Sequence, residues 1–317
     1  MKSLLLSLLF VMTLWADAHI FVYHRFGDSR YPSTDTTITQ LKKEFEYFKT
    51  NNYKVIPLKK LIMALKRGEK ISDNWVVLTI DDNFRSFYDN AFDIFKEYNY
   101  PFSLFVYVEA TQKKYPDYLS WQQLKEINKY GSLEFHSYAH PHMTYLSNEK
   151  LKADFKKGLK IFEEKLQIKP KYFSYPYGEY NNRVKDIAKS FGFDAIINQN
   201  MGAVGKNSDV YDLDRNALVG KTNLKYLLKF KYLNAIWIEP KSYPKDGIIK
   251  ALHVQTKESA KYAGLYISGN GWKKIPINSG VINLKLNKKL TRERNRIIIS
   301  IKDKISTKLL IKDKQWD

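Results

Sequence analysis

Apolar side chains fall along this chain in two regimes. Up to about residue 235, short apolar runs alternate with longer stretches in which apolar residues return every three or four positions. Beyond about Pro240 they return every second position. The first regime predicts strands at 19–24, 53–58, 75–80, 102–108, 132–135, 195–198 and 213–218. It predicts helices through Leu41, Phe45 and Phe48, at 61–66, over 83–98, after Ser120, through Leu151, Phe155, Leu159, Phe162 and Leu166, before Phe191, and over 222–233. Phe84, Phe87, Tyr88, Ala91, Phe92 and Phe95 repeat at helical spacing and read as core. Ser120-Trp121-Gln122-Gln123 fits a capping box, and Gly131 stops the helix that it opens. Strand followed by helix, repeated this often, implies a parallel sheet flanked by helices, most simply a (β/α) barrel that need not be complete.

The second regime predicts strands at 248–255, 262–268, 272–277, 281–286, 296–301 and 305–311, separated by turns such as Gly269-Asn270-Gly271. The expected organisation is therefore an α/β barrel domain at 19–235 with a small all-β, sandwich-like domain at 236–317. Residues 1–18 form neither: a basic start, an apolar stretch too short to span a bilayer and Ala16-Asp17-Ala18 read as an export signal. The mature chain is then expected to have no transmembrane span and to reside in the periplasm or cell envelope.

Charge and cysteine content sharpen this picture only a little. The chain has no cysteine, so it has neither disulfides nor an attachment point for a lipid anchor, and a net charge of +20. From Ala235 to Asp317 there are 18 Lys or Arg against 7 Asp or Glu. This basic module could hold the protein on an anionic envelope surface, or could simply pack on the barrel. The lysines are scattered, and no nucleic-acid motif accompanies them, so a nucleic-acid partner is not expected.

Candidate chemistry lies at the ends of strands. The run Trp75 to Ile80 stops at Asp81-Asp82-Asn83. Neighbouring strand side chains point to opposite sides, so one carboxylate can grip a cation while the other meets water; capping of the next helix is the plainer alternative. Further on, His136 and His140 stand four apart beside Pro141. With an Asp from a neighbouring strand they can give two nitrogens and one oxygen, leaving positions open for water and substrate as catalytic metal sites do. Zinc suits that set best, with cobalt, nickel or manganese as substitutes.

Three segments carry a resemblance. Thr79-Ile80-Asp81-Asp82-Asn83, His136-Ser137-Tyr138-Ala139-His140-Pro141 and Ser174-Tyr175-Pro176-Tyr177-Gly178 are similar to the T-F-D-D-G, H-S/T-x-x-H-P and R-P-P-Y-G motifs of the polysaccharide deacetylases, the NodB-homology carbohydrate esterases of family 4. Tyr23-His24 and the Pro-Tyr-Gly form look most like the branch that includes poly-N-acetylglucosamine deacetylases. The resemblance covers roughly residues 19–235 and implies a distorted barrel of NodB type. It implies metal binding by Asp82, His136 and His140, with Asp81 as general base for a metal-bound water. It also implies the backbone N–H of Tyr177 as oxyanion donor, with Tyr175 and Pro176 of the same turn against the substrate. His24, at a strand end, becomes a candidate catalytic residue, and Arg215 a candidate substrate contact.

The chain departs from the pattern in places. Asn83 stands where a glycine is common, and Asn tolerates left-handed angles better than most residues. Ser174 stands where many members carry the arginine that orients the base. The family's late L-x-H motif has no counterpart in the barrel; Ala251-Leu252-His253 falls in the β module, and His253 is not assigned that role. His19 reads as an exposed terminus and His142 as a loop residue. The expected activity is metal-dependent removal of acetyl groups from N-acetylhexosamine units of an envelope polysaccharide, either peptidoglycan or poly-N-acetylglucosamine. A carbohydrate-binding protein with weak or lost turnover and a polysaccharide O-deacetylase remain the alternatives.

Overall fold

In the computed structural model residues 17–313 are described. Most of the expected leader, residues 1–18, lies outside them, but Asp17 and Ala18 are buried in the fold. Ala18 exchanges two backbone hydrogen bonds with Val204, and Asp17 accepts one from the Tyr232 N–H at 2.8 Å. His19, expected to be exposed, is fully buried, because it opens the first barrel strand and pairs with Val76.

The barrel sheet is parallel throughout. Its order is Asn216–Ala217, His19–Tyr23, Trp75–Ile80, Phe102–Val106, Ser132–Phe135, Tyr172–Ser174 and Ala195–Ile197, with Lys54–Val55 beside the start of Trp75–Ile80. Leu213 lies against Ile197 while Asn216 lies against Phe21, so one short segment touches both edges and draws the sheet round. The central strands are buried residue after residue, as strands covered on both faces must be. Polar chemistry is thereby pushed to their carboxyl ends.

Helices pack outside. The single helix expected over 83–98 is two, Arg85–Asn90 and Phe92–Glu97, broken at Ala91, where φ of −123° interrupts the helical ladder. The break lets Phe87, Phe92 and Phe95 converge on Phe102 from different angles. The capping box at Ser120 and Gln123 forms as the sequence suggests. Asn148–Leu166 is the long helix; Asp154 and Gly158 on its inner face approach the histidine loop. Among the described residues no helix is long and apolar enough to cross a membrane.

The β module is a two-sheet sandwich. One sheet has the order Ala235–Glu239, Ile248–Thr256, Val281–Lys289; the other Lys231–Tyr232, Lys304–Ile311, Arg294–Ile301, Tyr262–Ile267, Gly271–Pro276. It begins earlier than residue 236, since Lys231–Tyr232 pairs with Lys304 and Ile305 and Leu233 sits in its core. The strand Ala235–Glu239 was not expected, because its alternation is cut short by Pro240. Along Arg294–Ile301, Ile297, Ile299 and Ile301 fill the sandwich, while Ile298 on the opposite face joins the barrel's cluster. Ile305, Leu309 and Ile311 do the same from the last strand. Each such side chain contributes about 1.5–3 kcal/mol when fully buried, so the two domains share a core.

Candidate active site

Five residues with left-handed backbone angles cluster at the carboxyl ends of the barrel strands: Asp82 (φ 71°), Asn83 (45°), Ser137 (70°), His140 (49°) and Tyr177 (58°). None is glycine, and such angles persist in bulky residues only where surrounding contacts enforce them. Those contacts are present. Asn83 accepts from the Tyr107 N–H at 2.6 Å and donates to the Thr111 hydroxyl at 3.0 Å, locking the turn after Asp82 to the next strand end. The Ser137 hydroxyl accepts from the His140 N–H at 2.9 Å. Asp154, which the sequence did not single out, takes the Tyr138 and Ala139 N–H groups on its two oxygens at 3.0 and 2.8 Å.

The strained turns bring three ligand atoms together. Asp82 Oδ1 lies 3.2 Å from His136 Nε2 and 3.0 Å from His140 Nε2, and the two nitrogens are 3.2 Å apart. Among the described residues this is the one cluster of three or more such side chains with a ligand-sized spacing. His136 Nδ1 donates to the Ser174 carbonyl at 2.8 Å, which leaves Nε2 as the free lone pair. The buried Asp82 Oδ1 is left with no hydrogen-bond donor, a cost that a cation removes. The donor set therefore fits a divalent metal ion.

Asp81 is built differently. It is fully buried and gripped end-on by Arg215, with Nη1 to Oδ1 at 2.8 Å and Nη2 to Oδ2 at 2.6 Å. Burial alone would raise its pKa, but Arg215 and His136 overcome it and hold the carboxyl below the usual range. Arg215 also donates to the Thr79 hydroxyl and the Asn198 carbonyl, which fixes its plane. The arginine beside Asp81 thus comes from position 215, 134 beyond it in the chain, and position 174 holds a serine. Ser174 Oγ instead lies 2.6 Å from His136 Nδ1 and 3.4 Å from Asp81 Oδ1. Gln199 adds a further donor to Asp81 Oδ2 at 3.3 Å, a contact no sequence motif indicated.

The remaining candidates divide. His24 reaches the same mouth: its Nε2 is 3.5 Å from Gln199 Nε2, its Nδ1 is buried without a partner, and burial lowers its pKa against the pull of Asp82 and Asp81. The N–H groups of Gly178 and Glu179 close the Pro-Tyr-Gly turn, so that of Tyr177 takes no part in it. The Tyr177 ring, 41% exposed, lies edge-on to His140 and stacks on His142. Three assignments need correction. Tyr175 is fully buried and stacked on Tyr180, Pro176 is buried beside it, and Arg215 is fully buried behind Asp81. None of the three presents its side chain to a substrate. His253 is remote, on a module strand opposite Asn283.

Comparison with known proteins is in keeping with this geometry. The family model described as "Polysaccharide deacetylase" matches residues 68–196. The Bacillus subtilis (strain 168) protein YxkH, named for the polysaccharide deacetylases, is 25% identical over 201 residues, 62% of this chain and 69% of its own length. The poly-beta-1,6-N-acetyl-D-glucosamine N-deacetylase of Staphylococcus aureus (strain MRSA252) is 25% identical over 222 residues, 66% of this chain and 76% of its own. Among solved structures, the Streptococcus pyogenes deacetylase PplD in complex with acetate superposes with a TM-score of 0.62 at 20% identity, covering 68% of this chain and 98% of that one. The shared part is the barrel of NodB type.

Proposed function

Since the chain carries a polysaccharide deacetylase domain, we propose that it removes acetyl groups from the N-acetylhexosamine units of a cell-envelope polysaccharide after export, using one divalent cation, zinc first, held by Asp82, His136 and His140. The observation that carries this reading is the side-by-side contrast at the strand end: Asp82 with an undonated oxygen among histidine nitrogens, Asp81 clamped by Arg215. A cation in such a set acts as a Lewis acid toward a carbonyl and makes water more acidic. The protein's own groups do the rest. Asp81, kept as a carboxylate by Arg215, takes a proton from the attacking water, whose oxygen bonds to the acetamide carbon. The Tyr177 N–H is the proposed donor to the oxygen that gains charge. The proton taken up by Asp81 is then delivered to the departing nitrogen as the C–N bond breaks, with His24, in the same mouth, as its proposed relay. Acetate and a free amine result.

The test is acetate release from β-1,6- and β-1,4-linked N-acetylglucosamine oligomers, from peptidoglycan and from O-acetylated glycans. It is run after chelation and after restoring zinc, cobalt, nickel or manganese. Metal-restored release from the N-acetylated ligands is expected. Release only from O-acetylated glycans would replace the amide reading by an ester one, and no release from any of them would overturn catalysis.

A further inference from the structure

The module's five-stranded sheet turns its outer face towards the barrel, and only part of that face is covered. Ile298, Ile305, Leu309 and Ile311 press on the barrel. Tyr266 and Trp272, directly opposite each other on neighbouring strands, extend past this contact. Their rings are 5.4 Å apart and Trp272 is 53% exposed, an unusual degree for an indole. Gly264 on the same face has no side chain to lift the ring away; a Cβ there would lie 3.3 Å from the indole.

A cavity of about 360 Å³ opens beneath this pair. Gln199 lies on its barrel side, with the fully buried Arg215 behind it; Tyr266, Trp272, Arg296 and Ile298 line its module side. Both barrel residues bond directly to Asp81, so the cavity lies one side chain away from the proposed base. Arg296 is held by a hydrogen bond from Nη2 to the Gln199 carbonyl at 3.3 Å, and its Nε is buried with no partner. Burial beside Arg294 pushes its pKa down to about 10, which still leaves a cation at neutral pH.

A pyranose ring has an apolar C–H face and a rim of oxygens. An aromatic pair beside a fork of N–H donors, in a small cavity between two domains, answers both parts. We propose that this cavity is a glycan subsite, seating the sugar next to the unit being deacetylated, with its ring face on Trp272 and Tyr266 and a carbonyl, hydroxyl or carboxylate oxygen at Arg296. This rests on the functional reading above and gives the module a role: it forms one wall of the substrate cleft. Acceptor oxygens of this kind occur both in neutral N-acetylglucosamine polymers and in glycans bearing the lactyl carboxylate of N-acetylmuramic acid.

Titration calorimetry on the full, metal-loaded chain with N-acetylglucosamine oligomers of one to six units tests it. Affinity should rise at least tenfold from the monosaccharide to the longer oligomers. In Trp272→Ala, a change on a half-exposed edge-strand residue, at least two-thirds of that gain should vanish, while Trp272→Phe should keep most of it. Arg296→Gln should weaken whichever ligand is preferred, the neutral oligomer or the carboxylate-bearing glycan, by threefold or more, and that preference identifies the oxygen. The same dependence on length in wild type and Trp272→Ala, or no binding at any length, overturns the subsite; no effect of Arg296→Gln on either ligand removes Arg296 from it. Acetate release is scored separately. Release without the length effect sinks the subsite alone, and length-dependent binding without release sinks the activity alone.

Discussion

The barrel sheet and the module's five-stranded sheet offer function in different places. Trp75–Ile80 and Phe102–Val106 are covered on both faces, so these strands can expose polar groups only where they end, and Asp81 and Asp82 lie at such an end. Arg294–Ile301 and Gly271–Pro276 have one face in the sandwich, so their other face is free to carry Arg296 and Trp272 along its length. A covered strand concentrates chemistry in a turn, where backbone strain can hold it. A one-sided strand spreads recognition over a surface, where its neighbour decides what it meets.

The hardest break of this comparison is to remove the second sheet. A chain ending after residue 233 would bare the barrel surface that receives Ile298, Ile305, Leu309 and Ile311. It is expected to lose cooperative folding, seen as aggregation or a broad thermal transition, at any salt concentration. A soluble, sharply melting barrel would show the two regions to be independent. The alternative of the module as an electrostatic anchor would be favoured only if that barrel also lost salt-sensitive adsorption to anionic wall material.

Within the barrel, the comparison sharpens at the two acids. Asp82→Ala is expected to lose bound metal and turnover together. Asp81→Asn should keep its metal and lose about 10²–10⁴ in kcat, the usual worth of a positioned proton acceptor. Metal analysis beside steady-state rates separates them; an Asp81→Asn variant at full rate would require another base.

The smallest effect concerns buried charge, which the barrel tolerates at Glu44. This carboxyl is 2% exposed and accepts from the Tyr23 hydroxyl at 2.7 Å and Gln40 Nε2 at 2.8 Å. Burial pushes its pKa from 4.5 up to about 7. The folded state therefore holds a proton that the unfolded state releases between pH 4.5 and 7, so stability from this group is full below that window and falls as pH rises through it, by about 3 kcal/mol. His19, pushed down to about 4, gives the opposite slope between roughly pH 4 and 6.5. Glu44→Gln leaves that slope alone, so its stability relative to wild type should gain about 3 kcal/mol between pH 4.5 and 8 in denaturant titrations. A constant difference across pH would rule the linkage out.

Much of the barrel was legible because covered strands leave a simple signature, apolar runs ending in polar groups. The candidate ligand set was legible for the same reason: Asp82, His136 and His140 follow such ends. Arg215 was misread because its partner, Asp81, lies far back in the chain; only the folded sheet sets the 213–217 segment across both barrel edges. Tyr175 and Pro176 were drawn to the substrate by their neighbour Tyr177, yet the turn sends them inward. Arg296 opens an expected strand, but no motif marks it. Its position on the barrel-facing side of an alternating strand shows only once that strand's neighbours are known.

The strand that contributes Ile305, Leu309 and Ile311 to the barrel's core lies at the end of the described chain. Synthesis proceeds from the amino terminus, so the barrel strands emerge before this strand and their apolar seat stays uncovered until it arrives. Asp81, Asp82, His136 and His140 have therefore all emerged before Trp272 and Arg296. The order of emergence thus couples the assembly of the candidate site to that of the cleft wall, since the strand Lys304–Ile311 covers the barrel's apolar seat and pairs with the strand that carries Arg296.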